Sequence, residues 1–188
     1  MEALILSTSV VALAEMGDKT QLLSFVLATR LKTRLPIILG ILFATLANHT
    51  LAGYLGAWLA SLVAPQALRW IVSLSFFVFG AWALVPDKLD ADRELGGAGV
   101  FLSTLVAFFL VEMGDKTQLA TIALAARYDS LLAVVMGTTL GMMIANVPAV
   151  WVGAALAHRI NMKAMRWVAA ALFVVLGFLA LFAPVPGA

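Results

Sequence analysis

The chain has 188 residues, of which 63% are hydrophobic and 12% charged, with a formal net charge of +2 and no cysteine. A soluble domain is nearer half apolar and a quarter charged, so this balance excludes a soluble globular protein. The missing cysteines exclude disulfides, thiolate metal sites and thiol catalysis.

Two histidines, His49 and His158, are too few for an imidazole zinc or copper cage. The Lys and Arg residues sit in short loops, so the positive charge is no nucleic-acid footprint.

Six apolar segments follow in order, at about 3–29, 36–62, 68–86, 99–126, 130–157 and 165–184. Each approaches or exceeds the roughly 20 residues that a membrane helix needs. Short connections carry the Pro, Gly and charged residues that stop helices. The fold class expected is an all-α membrane protein with six transmembrane helices, its partner the lipid bilayer.

The first segment holds Glu15-Met16-Gly17-Asp18-Lys19-Thr20-Gln21 at mid-length. Its residues 3–14, ending Ala12-Leu13-Ala14, mimic a signal-peptide core. However, the region before them carries Glu2 and no Lys or Arg. It is read as a retained span.

Asn48 and His49 lie near the middle of the second segment, followed by Gly53 and Gly56. The fourth segment repeats the motif as Glu112-Met113-Gly114-Asp115-Lys116-Thr117-Gln118. The fifth carries Asn146 centrally, with Gly137 and Gly141 before it. The small-xxx-small glycine pairs predict close helix packing. Trp58, Trp70, Trp82, Trp151 and Trp167 lie mostly towards span ends, as interfacial anchors do.

An offset of 97 superposes the halves without a gap. It pairs Glu15 with Glu112, Asp18 with Asp115, Arg30 with Arg127, Gly40 with Gly137, Arg69-Trp70 with Arg166-Trp167, and Gly80 with Gly177. The pairing breaks locally where His49 meets Asn146 and Asn48 meets Ala145. The chain therefore divides into a repeat over 1–88, a short cytoplasmic linker over 89–98 and a repeat over 99–188. Three spans per repeat is an odd number, so the second enters the membrane from the opposite side, giving two inverted three-helix repeats.

Outside the motifs, one side holds eight cationic residues: Arg30, Lys32, Arg34, Lys88, Arg93, Arg159, Lys163 and Arg166. The other holds two, Arg69 and Arg127. The positive-inside rule puts the first group in the cytoplasm and both termini outside.

A charge at the centre of a membrane helix costs roughly 2.5–3.5 kcal/mol, so three charges per span, placed twice, call for a use. On a helix Glu15, Asp18, Gln21 and Ser24 form an i+3 stripe, and Glu112, Asp115, Gln118 and Thr121 its twin. All offer oxygen, which Ca²⁺, Mg²⁺ and Mn²⁺ take as ligand.

Glu15, Asp18, Glu112 and Asp115 are the expected metal ligands, with Gln21 and Gln118 in support. Lys19 and Lys116 are counter-ions, Lys19 in the favourable i+4 position after Glu15. Ser24, Thr121, Asn48 and Asn146 are candidate lining residues. Gly17 and Gly114 permit a kink or a broken helix. Four carboxylates and two ammoniums leave −2, the charge one divalent cation would neutralise. A purely structural ion pair would explain one motif but gives no reason for two.

The duplicated E-x-G-D-K-T on the first and fourth spans resembles the signature of the Golgi manganese/calcium transporters, a family with a bacterial branch of manganese exporters. The resemblance covers essentially the whole chain. It implies export of Mn²⁺, or exchange of Ca²⁺ or Mn²⁺ for protons, with the four acidic residues as ligands. The chain lacks the long extensions of eukaryotic members, which points to a bacterial plasma membrane.

The expected function is a secondary transporter working by alternating access, with no enzymatic activity and no cofactor beyond the transported ion. A Ca²⁺/proton exchanger of the same build and a divalent-cation channel are the alternatives. The sequence leaves Mn²⁺, Ca²⁺ and Mg²⁺ unranked, and any homo-oligomer open.

Overall fold

The computed structural model describes residues 1–85, 99–152 and 161–182. The linker 89–98, Lys88, Arg93, His158 and Arg159 lie outside the described residues. Eight helices are seen among those described: α1 (Glu2–Glu15), α2 (Lys19–Leu31), α3 (Arg34–Leu62), α4 (Pro65–Ala83), α5 (Val100–Glu112), α6 (Lys116–Arg127), α7 (Leu131–Val152) and α8 (Met162–Phe182). Four of them, α3, α4, α7 and α8, are long and apolar enough to cross a membrane.

The burial pattern is that of a chain dissolved in lipid. One face of α3 buries Thr45, Asn48 and His49 among Ile37, Ile41, Ala44 and Ala52. Its other face exposes Phe43, Leu51, Tyr54, Trp58 and Leu62. In water that outer face would be polar. Here the polar side chains are inside and the apolar ones outside, which hydrocarbon demands and water penalises. Trp58, Trp70, Trp151 and Trp167 are each more than half exposed, whereas Trp82 packs against the core.

The first and fourth apolar segments are not continuous helices. Each breaks at its motif, as α1/α2 and α5/α6. The breaks are two copies of one turn. Asp18 N–H donates to the Glu15 carbonyl at 3.0 Å and Asp115 N–H to the Glu112 carbonyl at 3.1 Å. Met16 (φ −62°, ψ 115°) and Met113 (φ −61°, ψ 120°) precede Gly17 (φ 85°) and Gly114 (φ 74°). That is the pattern of a type II turn, whose third residue needs positive φ and hence glycine.

Packing interlocks the halves. Helix α1 lies on α7 and α5 on α3, each short helix on the long helix of the other half. Glycines allow the approach: a Cβ on Gly137 would stand 2.6 Å from the Leu4 carbonyl oxygen. One on Gly40 would stand 2.9 Å from that of Phe101. These are equivalent contacts at the 97 offset. Between α4 and α8, Phe76 and Phe79 meet Phe173 with ring centroids 6.3 and 5.9 Å apart.

The equivalence then fails. Helix α8 also packs on α1, and α4 on α6; among the described residues no comparable packing joins α4 to α5 or α8 to α2. One apolar cluster therefore draws on α1, α4, α6 and α8 around Phe76, Leu124 and Phe173. The other, around Leu27, Ile41, Phe108 and Val150, does without α4 and α8. Val10 and Ala14 on α1 are buried, while their counterparts Ala107 and Val111 on α5 are only half-buried. The Tyr128 hydroxyl donates to Glu2 Oε1 at 3.2 Å, adding a polar tie at the better-packed end.

Candidate functional site

The carboxylates sit at the paired breaks. Glu15 ends α1 and Asp18 caps α2; Glu112 ends α5 and Asp115 caps α6. All four are buried, with at most 2% of their surface exposed. Glu15, Glu112 and Asp115 each bring a carboxylate oxygen within 4.8 Å of the other two. One ion with metal–oxygen bonds of about 2.0–2.6 Å can bridge donors up to about 4–5 Å apart. So three of the four expected ligands converge.

The fourth, Asp18, lies outside that triad, and its Oδ1 takes the Lys116 ammonium. Lys19 Nζ lies 2.8 Å from Asp115 Oδ1. The pairing is thus reciprocal and runs between the halves. This corrects the expected Glu15–Lys19 pairing along one helix. The glycine turn ends α1 at Glu15 and restarts the helix at Lys19, which removes the i+4 spacing that pairing needs. It also replaces the continuous i+3 stripe by two carboxylates at either end of a turn. Lys116 is 4% exposed and Lys19 19%, so the two ammoniums differ in solvation.

The glutamines brace the turns. The Gly17 N–H donates to Gln21 Oε1 at 2.9 Å, and the Gly114 N–H to Gln118 Oε1 at 2.7 Å. Their amides reach across the halves: Gln21 Nε2 donates to the Ala145 carbonyl at 3.0 Å, and Gln118 Nε2 to Asn48 Oδ1 at 2.8 Å. Ala145 and Asn48 are partners at the 97 offset, so the same tie is made once to backbone and once to a side chain. The carbonyl oxygens proposed as supporting ligands already accept a hydrogen bond each.

Of the lining candidates, Ser24 donates its hydroxyl to Asn146 Oδ1 at 2.8 Å, and Thr121 to the Thr117 carbonyl at 2.8 Å. Thr20 and Thr117 were not singled out by spacing. Thr20 donates its hydroxyl to Glu15 Oε2, and Thr117 to Glu112 Oε2 at 3.2 Å. Their place in both motifs was the available signal, hidden because an unbroken helix would turn them off the stripe. Each hydroxyl occupies one oxygen of its glutamate. Among the described residues none donates a hydrogen bond to Glu15 Oε1 or Glu112 Oε1, and buried oxygens in that condition want a partner.

The family model of the divalent cation/proton antiporter GDT1 matches twice, over residues 3–91 and 100–187, once per half. The chain belongs to this family.

A relative from Vibrio cholerae, named "Putative manganese exporter", is 46% identical over 183 residues, covering 97% of this chain and 92% of that protein. GDT1-like protein 5 of Arabidopsis thaliana is 28% identical over 218 residues, covering 95% of each. GDT1-like protein sll0615 of Synechocystis is 28% identical over 185 residues, with 87% of this chain and 88% of that protein covered. No solved structure matches. Membership makes the chain a multi-pass divalent cation/proton antiporter rather than an enzyme, in keeping with its four long apolar helices.

Proposed function

We propose that this chain exports Mn²⁺ from the cytoplasm in exchange for protons, with Glu15, Glu112 and Asp115 holding the ion. The convergence of three buried carboxylates from two chain breaks carries the reading. In it, α1/α2 and α5/α6 are broken spans that join the four long helices to make six, arranged as two inverted repeats. Broken spans with facing ends at mid-membrane are the usual site architecture of such transporters.

The reciprocal Asp18–Lys116 and Asp115–Lys19 pairs bind one repeat to the other, and the ion and protons compete for the glutamates between them. Without the ion the clustered carboxylates repel, and proton uptake relieves that repulsion. The exchange is thereby stoichiometrically coupled through one site. The uneven packing of α4 and α8, which cover α6 and α1 with no comparable packing on α2 and α5 among the described residues, supports alternating access, since the two copies of the site's frame are not held alike. The printed name of the Vibrio cholerae relative supports Mn²⁺ as cargo, with Ca²⁺ the alternative. The loop charges support a plasma-membrane protein with both termini outside.

The test is Mn²⁺ uptake into proteoliposomes under an imposed pH gradient. Wild type should give saturable uptake that collapses with the gradient, and Glu112→Gln or Asp115→Asn should abolish it. Unimpaired transport by both variants would overturn the site, and single-channel currents would replace the antiporter by a channel.

A further inference from the structure

The repeat departs from symmetry at one titratable residue beside the site. His49, in the middle of α3, is wholly buried, and among the described residues neither ring nitrogen has a hydrogen-bond partner. Its counterpart Asn146 is satisfied: it accepts from Ser24 at 2.8 Å and donates to the Met142 carbonyl at 3.1 Å. Thr121, the counterpart of Ser24, donates instead to the Thr117 carbonyl. The imidazole is thus left bare. Its neighbour Asn48 is clasped by Gln118, which fixes this part of α3 against the second break.

His49 Nε2 lies 3.9 Å from Glu112 Oε2. That is too long for a hydrogen bond, yet within the roughly 4–5 Å that two donors on one ion can span. Glu112 is itself one of the three converging carboxylates. A buried ring nitrogen with no hydrogen-bond partner among the described residues, 3.9 Å from a carboxylate of the cluster, is placed to join the donors of an arriving ion.

We propose that His49 Nε2 is a nitrogen ligand of the transported cation and sets its selectivity; this rests on the carboxylate site proposed above. Oxygen-only sets suit Ca²⁺ and Mg²⁺ as well as Mn²⁺, whereas imidazole suits transition metals. His49 stands at the edge of the carboxylate triad, against Glu112, and an imidazole added to carboxylate oxygens favours a transition-metal dication over Ca²⁺ and Mg²⁺. The sequence has an asparagine at the other copy of this position, so selectivity resides in one repeat.

The test uses the full chain in detergent, loaded with Mn²⁺ and read by electron spin-echo envelope modulation. Wild type should show a directly bound ¹⁴N, replaced by a ¹⁵N pattern after labelling of histidine, and unaltered by His158→Gln. His49→Asn should lose the nitrogen signal, and its preference for Mn²⁺ over Ca²⁺ in competition should fall by about tenfold or more. Bound Mn²⁺ without nitrogen modulation in wild type, or an unchanged Mn²⁺/Ca²⁺ ratio in a folded His49→Asn, overturns the role of His49 and leaves the carboxylate site standing. Failure of wild type to bind Mn²⁺, or binding indifferent to Glu112→Gln, overturns both. The wild-type spectrum decides even if the variant fails to fold.

Discussion

At the scale of single residues, Lys116 and Gly114 carry the greatest local constraint. Lys116 is nearly enclosed and its ammonium is held by Asp18. Removing one member of a buried ion pair strands the other and costs about 3–5 kcal/mol. Lys116→Met should therefore unfold the protein at markedly lower temperature, and adding Asp18→Asn should recover much of that loss. Lys19→Met, at a site 19% exposed, should cost less. Thermal melts of the three variants and wild type in one detergent check the ranking; equal losses at Lys19 and Lys116 would refute it. Gly114 sits at φ 74° with open space where a Cβ would go, so Gly114→Ala is opposed by backbone conformation and not by crowding. Forcing a non-glycine residue there costs about 1–3 kcal/mol, and the melting temperature should fall accordingly.

At the scale of helices, small residues decide how closely the halves approach. On Gly56 of α3 a Cβ would come 2.2 Å from the Ile122 carbonyl oxygen of α6. Backbone cannot move aside as a side chain does, so Gly56→Val should separate α3 from α6. Overpacking of that kind costs about 1–3 kcal/mol, and the displacement should also loosen the Gln118–Asn48 bond one turn-break away. The expected result is a protein that still inserts but transports poorly, checked by monodispersity in detergent together with Mn²⁺ flux. Normal flux from Gly56→Val would mean that the α3–α6 contact does not hold the site.

For the whole molecule, α1 and α5 are covered unequally although the two halves are copies. The chain has no cysteine, so single-cysteine labelling needs no prior substitution. Val111→Cys, on the loosely covered α5, should react with a water-soluble maleimide. Ala14→Cys, its counterpart sealed beneath α8, should not. Mn²⁺ with a reversed proton gradient should bring up Ala14→Cys labelling as Val111→Cys labelling falls. Equal reactivity under all conditions would contradict alternating access about this site.

Much of this protein follows from its sequence alone. Lipid as solvent imposes apolar runs of fixed length, so the four long helices are legible in hydropathy. Identity at an offset of 97 marks Glu15, Asp18, Glu112 and Asp115 as paired before any contact is known. Gly17 and Gly114 already signalled a break in the helix. Tertiary structure alone decided the rest. Lys19 could be matched to Asp115, and Lys116 to Asp18, only once the breaks faced each other, because local spacing along a helix offered Glu15 as the nearer partner. His49 became distinct from Asn146 only through its surroundings, which among the described residues hold no hydrogen-bond partner for it. Which of α1 and α5 receives the extra cover could not be written in either repeat, since the two share one apolar pattern and hence similar local preferences; it depends on where α4 and α8 rest among packings that the repeat makes nearly equivalent.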